Sequence, residues 1–209
     1  MIQGRATQGQ DWMVADDGQV QACTTPRQWD LLETPYHFHR FLTQVEDVLK
    51  KSLNEYDYLP AIRHLVRKLA LNSYWLQTQH PKLSTLSDVA IQTLYNEIGY
   101  PLTVQTNTYP PGMVSPIHNH GTWGVVTLLK GEEKNTFWQH TPTQAFKDKL
   151  TPVGEKIFRP GDVISFSPGA IHCVEAVGST PLVTFNLYGE THSKDRFKFD
   201  PKTHQAKNF

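Results

Sequence analysis

The stretch GMVSPIHNHGTWGVVTLLKG runs from Gly112 to Gly131. It places His118 and His120 two residues apart, between glycines and just before an apolar run. Side chains alternate along a β-strand, so these two histidines would point to the same face. Imidazole nitrogens on one face can reach a single first-row metal ion at ~2.1 Å. The stretch therefore predicts a metal site at the start of a strand.

A third ligand must come from another strand, and His172 is the best candidate. It lies in GDVISFSPGAIHCVEA, where a Pro-Gly turn delivers a histidine to the start of a β-rich run. The alternative is that the three histidines are surface or core residues without a metal. A His-x-His pair joined by a second turn-and-strand histidine favours the metal.

The residues before the histidines have a helical period. Apolar residues recur every three to four positions from Tyr36 to Leu53, which predicts an amphipathic helix. Pro60 fits the first turn of a second helix. A third short helix is predicted near 74–79, before Pro81.

After about residue 90 the period becomes two, with turn clusters at PPG, KGEEK, RPGD and SPGA. Helices followed by many short strands predict an α+β fold, mainly β, with a sandwich or barrel core. We expect one domain over 1–209, with a loose polar arm at 1–24, a helical extension at 25–80 and a β-barrel at 85–200. The last residues, from Arg196 onward, are expected to be a strand end and tail.

Composition limits the classes of partner. Lys and Arg total 20, as do Asp and Glu, which argues against a nucleic-acid or membrane surface. No apolar run approaches the ~20 residues of a membrane span, and the polar N-terminus lacks a signal-peptide core. Cys23 and Cys173 make no disulfide framework. We expect a cytoplasmic protein, either monomer or homodimer.

The histidine stretch resembles the first motif of the cupin superfamily. That motif runs Gly, five residues, His-x-His, three or four residues, Glu, six residues, Gly. This chain has Gly112, His118, His120, Gly124 and Gly131 at those spacings. Only the glutamate is missing, because glycine stands at position 124.

The second cupin motif runs Gly, five residues, Pro-x-Gly, two residues, His, three residues, Asn. Here it reads Gly161, Ser167-Pro168-Gly169, His172 and Ala176, so serine replaces the proline and alanine the asparagine. Two motifs in order imply a cupin double-stranded β-helix, that is, a jelly-roll barrel with the N-terminal helices packed on it.

In having three histidines and no glutamate, this chain resembles the thiol dioxygenase branch, which contains cysteine dioxygenase and mercaptopropionate dioxygenase. HNHGTWGVVTLLKGEE and IHCVEAVGSTPLVTFNLYGE are similar to bacterial members. The resemblance implies an iron(II) enzyme that oxidises a small thiol to a sulfinate with O₂. In a purified sample, nickel or zinc are alternative occupants of the site.

The resemblance also implies site residues. Tyr188 matches the active-site tyrosine of the branch, and Asn186 stands where the family has a relay histidine. Gln92 is the nearest match to the residue that binds the end of the substrate distant from the thiol, and Trp123 is a further candidate. Packing roles remain open for Tyr188 and Trp123.

Two function classes are carried forward. The first is an iron-dependent thiol dioxygenase; the alternative is a metal-binding cupin that acts as a sensor or binds a small molecule without oxygenation. A hydrolytic or isomerase cupin is weaker, since no acid–base pair flanks the ligands. The sequence has no arginine between Arg67 and His118. We therefore predict that mercaptopropionate or a related thiol is preferred to cysteine.

Overall fold

The structure is a computed structural model that describes residues 9–27, 32, 34–84 and 88–208. Its α-helices are α1 (Phe38–Leu49), α2 (Glu55–Asn72) and α3 (Tyr74–Thr78). A 3₁₀ turn covers Ser193–Asp195. The strands are β1 (Asp11–Val14), β2 (Val20–Cys23), β3 (Ala90–Asn96), β4 (Thr103–Tyr109), β5 (Ile117–Asn119), β6 (Gly124–Lys130), β7 (Glu132–His140), β8 (Leu150–Phe158), β9 (Val163–Phe166), β10 (Ile171–Val177), β11 (Leu182–Tyr188), β12 (Phe197–Asp200) and β13 (Gln205–Asn208).

The strands form two sheets in a jelly-roll arrangement. One sheet has the order β2-β1-β9-β6-β11-β4-β3, and the other has the order β13-β12-β5-β10-β7-β8. The mainly β fold class is confirmed. The predicted barrel is not closed, because across the described residues the outermost strand of each sheet pairs on one side only.

The interior between the sheets is apolar where it is distant from the histidines. Alternate residues of β6 and β9 face inward and meet the facing sheet. Phe137 and Phe158 pack there edge to face, with ring centroids 6.4 Å apart. The turn between β6 and β7 is Gly131, whose φ of 78° suits glycine and whose added Cβ would lie 2.7 Å from Pro181 O.

The helices pack on the outer face of the seven-stranded sheet. Phe41 of α1 meets Phe185 of β11 with ring centroids 5.9 Å apart, and Tyr58 of α2 meets Trp123 at 5.6 Å. The expected helical extension is therefore present in α1, α2 and α3. Within the described residues, no helix is long and apolar enough to cross a membrane.

The position of Pro60 was predicted wrongly, because α2 begins one turn earlier than the proline. The Asn54 side chain accepts a hydrogen bond from the Tyr56 amide at 3.0 Å and caps the helix there. Pro60 lies inside the helix as a result.

The loose polar arm was also predicted wrongly in its described part. Strand β1 pairs in parallel with β9, and β2 pairs antiparallel with β1. Asp11, which is 1% exposed, forms ion pairs with Arg67 at 2.6 Å and with Arg27 at 2.5 Å. Val14 of the same strand is buried in the core between the sheets, so β1 is held by apolar packing as well as by these ion pairs.

The C-terminal residues form a hairpin rather than a tail. Strands β12 and β13 pair with each other, and Lys198 of β12 is paired with His118 of β5. This pairing brings the end of the chain to the first histidine of the cluster.

Candidate metal centre

The three predicted histidines meet between the two sheets. His118 on β5 is paired with His172 on β10, and His120 follows β5 by one residue. One ring nitrogen of each lies within 4.8 Å of the other two. His120 Nε2 and His172 Nε2 are 3.2 Å apart. Two ligands bonded at ~2.1 Å to one ion in adjacent positions would be separated by about 3–3.5 Å, so the spacing fits a first-row metal.

Burial keeps these imidazoles neutral. Desolvation lowers the pKa of His118 to about 4, although its bond to the Pro116 carbonyl opposes the shift. Desolvation, followed by the other histidines, holds the pKa of His120 and His172 well below the ordinary value. A neutral imidazole has a free lone pair, which is the form that binds a metal.

Hydrogen bonds orient two of the rings. His118 Nδ1 donates to Pro116 O at 2.9 Å, and His172 Nδ1 lies 2.5 Å from Asn135 Oδ1. In both rings the opposite nitrogen, Nε2, is left for a metal. His120 Nδ1 is buried, and the described part of the chain offers it no hydrogen-bond partner.

Gly124 stands at the position where the cupin motif has glutamate, and Tyr188 occupies the space beside it. A Cβ added to Gly124 would lie 2.9 Å from Tyr188 Cδ1 and 3.4 Å from His120 Nδ1. The rings of His120 and Tyr188 have centroids 4.9 Å apart. An acidic side chain at position 124 would displace the tyrosine ring.

The Tyr188 hydroxyl is held by a polar row on β11. It donates to Asn186 Oδ1 at 3.5 Å, and Asn186 Nδ2 donates to Thr184 Oγ1 at 2.9 Å. Burial raises the pKa of Tyr188 far above its ordinary value, with smaller contributions from Tyr109 and Glu133. The hydroxyl therefore stays protonated, and its single proton can go to a ligand in exchange for the long bond to Asn186.

A cavity of about 440 Å³ opens from the histidines toward solvent. His118, His120 and Tyr188 form one end of it. Alternate residues of β4 line one wall, and two cations from the C-terminal hairpin line another. These wall residues are Thr103, Gln105, Asn107, Tyr109, Arg196 and Lys198.

Three residues were predicted to bind substrate, and they lie in three different places: Asn186, Gln92 and Trp123. Asn186 lies beside Tyr188, as described above. Gln92 does not line the cavity, whereas Ile91, its neighbour on β3, does, so the glutamine lies on the other face of the strand. The glutamine that faces the cavity is Gln105, on the next strand. Trp123 packs against Tyr58 of α2 and lines a groove between the helices and the sheet.

Sequence reasoning missed the cations. Arg196 is partly buried and Lys198 is exposed, and both line the cavity. Asn119, the residue between two of the histidines, holds their segment in place. Asn119 Nδ2 donates to Asp195 O at 3.2 Å, and the Phe197 amide donates to Asn119 Oδ1 at 2.8 Å. The sequence-based expectation considered arginines only between Arg67 and His118, whereas Arg196 follows all three histidines; the charge alternation in RFKFD was a visible signal.

The fold and the histidine cluster define a jelly-roll protein with a candidate metal site between its sheets. A family model for cupins matches residues 80–206, and the chain belongs to the cupin family. A search of curated protein sequences finds no match.

Several solved structures are similar to this chain. One is an oxalate oxidase in complex with the substrate analogue glycolate, at 20% identity over 55% of this chain and 57% of that one, with a TM-score of 0.41. Another is a Bacillus subtilis oxalate decarboxylase studied for its Mn(II) centres, at 22% identity over 55% of this chain and 28% of that one, with a TM-score of 0.39. A third is a cupin superfamily protein from Desulfitobacterium hafniense, at 13% identity over 52% and 84%, with a TM-score of 0.40. The chain spans little more than half the length of the oxalate oxidase and less than a third of the decarboxylase.

Proposed function

We propose that the protein is an iron(II)-dependent dioxygenase that converts a small thiol to its sulfinate. The observation that carries this proposal is the ligand set: three neutral histidines, with the Tyr188 ring in the space of the glutamate. Three neutral ligands leave an ion with its full charge and with open positions for other ligands. Iron(II), when bound there, supplies the redox chemistry that dioxygen requires and that zinc lacks.

The residues around the cluster support a small polar substrate. The Tyr188 hydroxyl is protonated at the histidine end of the cavity, where a substrate group could replace Asn186 as the acceptor of its long hydrogen bond. Gln105 and Asn107 add polar side chains along the wall. The cavity volume of about 440 Å³ suits a molecule of a few heavy atoms together with water.

Arg196 and Lys198 support a substrate with an anionic group at the end distant from the thiol. Arginine pairs with a carboxylate through two hydrogen bonds. The same two cations disfavour an ammonium group, and none of the described residues that line the cavity is Asp or Glu. Mercaptopropionate therefore remains the predicted substrate in preference to cysteine. The reason is now the repulsion between the two cations and the ammonium group of cysteine, and no longer the lack of an arginine between Arg67 and His118.

Oxygen uptake by the anaerobically iron-loaded protein tests the proposal. We expect mercaptopropionate to exceed cysteine by about tenfold in kcat/KM, which is about 1.4 kcal/mol in transition-state binding. Mass spectrometry should show a sulfinate that carries both oxygen atoms from O₂. His172→Ala should abolish activity and metal content together. A fully iron-loaded protein that forms no sulfinate from either thiol would leave the metal-binding cupin without oxygenase activity as the function.

The variant Arg196→Gln tests the anionic group. We expect it to raise the KM for mercaptopropionate about tenfold or more and to leave metal content unchanged, since the lost interaction is a charge-assisted hydrogen bond. Lys207→Gln is the matched control, because this lysine lies in the same hairpin and does not line the cavity. Equal effects of the two variants would contradict the role of Arg196.

A further inference from the structure

A buried hydrogen-bonded chain runs from His172 to a carboxylate that the proposed chemistry does not use. His172 Nδ1 lies 2.5 Å from Asn135 Oδ1, and Asn135 Nδ2 makes a short hydrogen bond to Glu133 Oε1. The three residues are 3%, 0% and 3% exposed, respectively. Asn135 and Glu133 alternate on β7, so both point to the interior from the strand that pairs with β10.

The chemistry of the three groups sets the direction of this chain. When Glu133 is ionised, which is the form that a cation held by the histidines would favour, its carboxylate only accepts hydrogen bonds, so Asn135 presents its amide NH₂ to Glu133 and its carbonyl oxygen to His172. His172 must then carry its proton on Nδ1 and keep its lone pair on Nε2. Nε2 is the atom that lies 3.2 Å from His120 Nε2 in the cluster.

Glu133 is an unusual residue to bury at this place. Desolvation raises its pKa to about 7, against the opposing effect of the Asn135 hydrogen bond. Among the described residues, no Lys or Arg forms an ion pair with it. A buried carboxylate without a counter-ion is costly, and such groups are retained where a positive charge is to be balanced.

We propose that Glu133, acting through Asn135, is a positioning residue that orients His172 and balances the charge of a metal held by three neutral histidines. Gly124 stands where the cupin motif has glutamate, and the carboxylate of Glu133 lies two hydrogen bonds behind His172. Partners of this kind fix the ring and raise its basicity, and their loss commonly weakens metal binding by about 10–100-fold. This inference rests on the metal site of the proposed function and is independent of its oxygen chemistry.

The affinity for zinc(II), measured by competition with a chromophoric chelator, tests the inference without oxygen or substrate. We expect Glu133→Gln to bind zinc about tenfold or more weakly than the wild type, because the charge is lost while the size is kept. Asn135→Ala breaks the same chain from its middle and should weaken binding at least as much. The matched control is Glu132→Gln, the neighbouring residue on β7, which pairs with Arg159 at the surface and should change affinity less than twofold.

A double variant separates positioning from packing. Glu133→Gln with Asn135→Asp reverses the chain, so that the glutamine amide donates to an aspartate that itself accepts from His172. We expect this variant to recover zinc affinity to within about threefold of the wild type. Glu133→Gln that binds zinc as well as wild type, or a double variant no tighter than Glu133→Gln, would overturn the inference. Zinc supports no oxygenation, so the zinc affinities test this inference even if the protein proves to have no dioxygenase activity. Unchanged zinc affinities would likewise not contradict the proposed dioxygenase activity.

Discussion

At the scale of single residues, Gly124 and Tyr188 have to be considered together, since the backbone of one touches the ring of the other. The Cβ of any other residue at position 124 would lie 2.9 Å from Tyr188 Cδ1 and 3.0 Å from Cε1. A ring flanked by backbone on one side and by His120 on the other has little room to move. Glycine at position 124 and tyrosine at position 188 therefore depend on each other, because a larger side chain at 124 would collide with the tyrosine ring.

The first prediction concerns this pair. Gly124→Ala should lower the free energy of unfolding by about 1–3 kcal/mol, because it overpacks the contact with the Tyr188 ring. Gly124→Glu should do so more strongly, and adding Tyr188→Ala should restore most of the loss by removing the ring. Urea unfolding checks all three proteins. Gly154→Ala is the control, since an added Cβ there meets no atom within 4 Å. Equal losses at positions 124 and 154 would contradict the prediction.

The second prediction concerns pH and the metal-free protein. The folded-state pKa of His118 is about 4, whereas an unfolded histidine titrates near 6.5. Between these values the unfolded chain binds more protons than the folded one, so stability rises with pH. The free energy of unfolding should therefore fall as pH decreases from about 6.5 toward 4.

Urea unfolding at pH 7.5 and pH 5 checks this dependence, with His118→Asn for comparison. The raised pKa of Glu133 acts in the opposite sense, because its folded form holds a proton that the unfolded chain releases. That carboxyl group is present in both proteins, so the difference between them reports the histidine. A variant with the same pH slope as the wild type would refute the prediction.

At the scale of elements, two terminal hairpins complete the sheets from opposite ends of the chain. Strands β1 and β2 extend the seven-stranded sheet beyond β9, and β12 and β13 extend the other beyond β5. The first is fixed by a buried ion cluster around Asp11. The second is fixed by Asn119 and by the Asn208 side chain, which donates to Arg196 O at 3.1 Å. Val14 of β1 is also buried in the core between the sheets, so the first hairpin is held by apolar packing as well.

The third prediction follows from the ion cluster. Asp11→Ala should lower the free energy of unfolding by about 3–5 kcal/mol, because it removes a buried carboxylate that pairs with buried guanidinium groups. Arg67 and Arg63 are 2% and 4% exposed, respectively, so water cannot replace the carboxylate. Thermal or urea unfolding measures the loss. Glu46→Ala removes an exposed pair with Lys50 and should lower the free energy of unfolding far less. A similar small cost for Asp11→Ala would show that the cluster is not structural.

At the scale of the whole molecule, the helices and the seven-stranded sheet share one apolar layer. Val104, Val125, Phe185 and Leu187 of the sheet are buried under residues of α1 and α2. Among the described residues, no helix covers the six-stranded sheet, and the histidines lie on the inner side of that sheet. The molecule therefore has three layers, with the candidate site in the gap that the helices do not reach.

The fourth prediction tests whether the β part stands alone. A chain shortened to residues 82–209 should be insoluble or should unfold without cooperativity, since the outer apolar face of the sheet would meet water and β1 would be lost. Urea titration and near-ultraviolet circular dichroism distinguish this from a native fold, with the full chain as reference. A sharp transition with native tertiary signals would show that the β part is a separate domain.

Site residues that follow from local sequence patterns could be predicted, whereas those whose position depends on the pairing of distant strands could not. His118, His120 and His172 could be found because period-two alternation and turn spacing are local patterns. Gln92 points away from the cavity because it pairs with Thr106 of β4, whose neighbours Gln105 and Asn107 face the cavity, and no local pattern reports this register. Arg196 was missed because its place depends on β12 pairing with β5, a contact between residues far apart in sequence.

The hydrogen bonds of Asn119 to Asp195 and Phe197 have one more consequence, which is thermodynamic reciprocity. Asn119 lies between two of the three histidines and binds the residues just before β12. The conformation of the histidine segment and the docking of the C-terminal hairpin are therefore coupled. Whatever fixes the histidines must favour the docked hairpin by the same free energy with which the docked hairpin favours the fixed histidines. The rate of hydrogen exchange at the backbone amides of β12 and β13 would then report whether a metal is bound by the histidines.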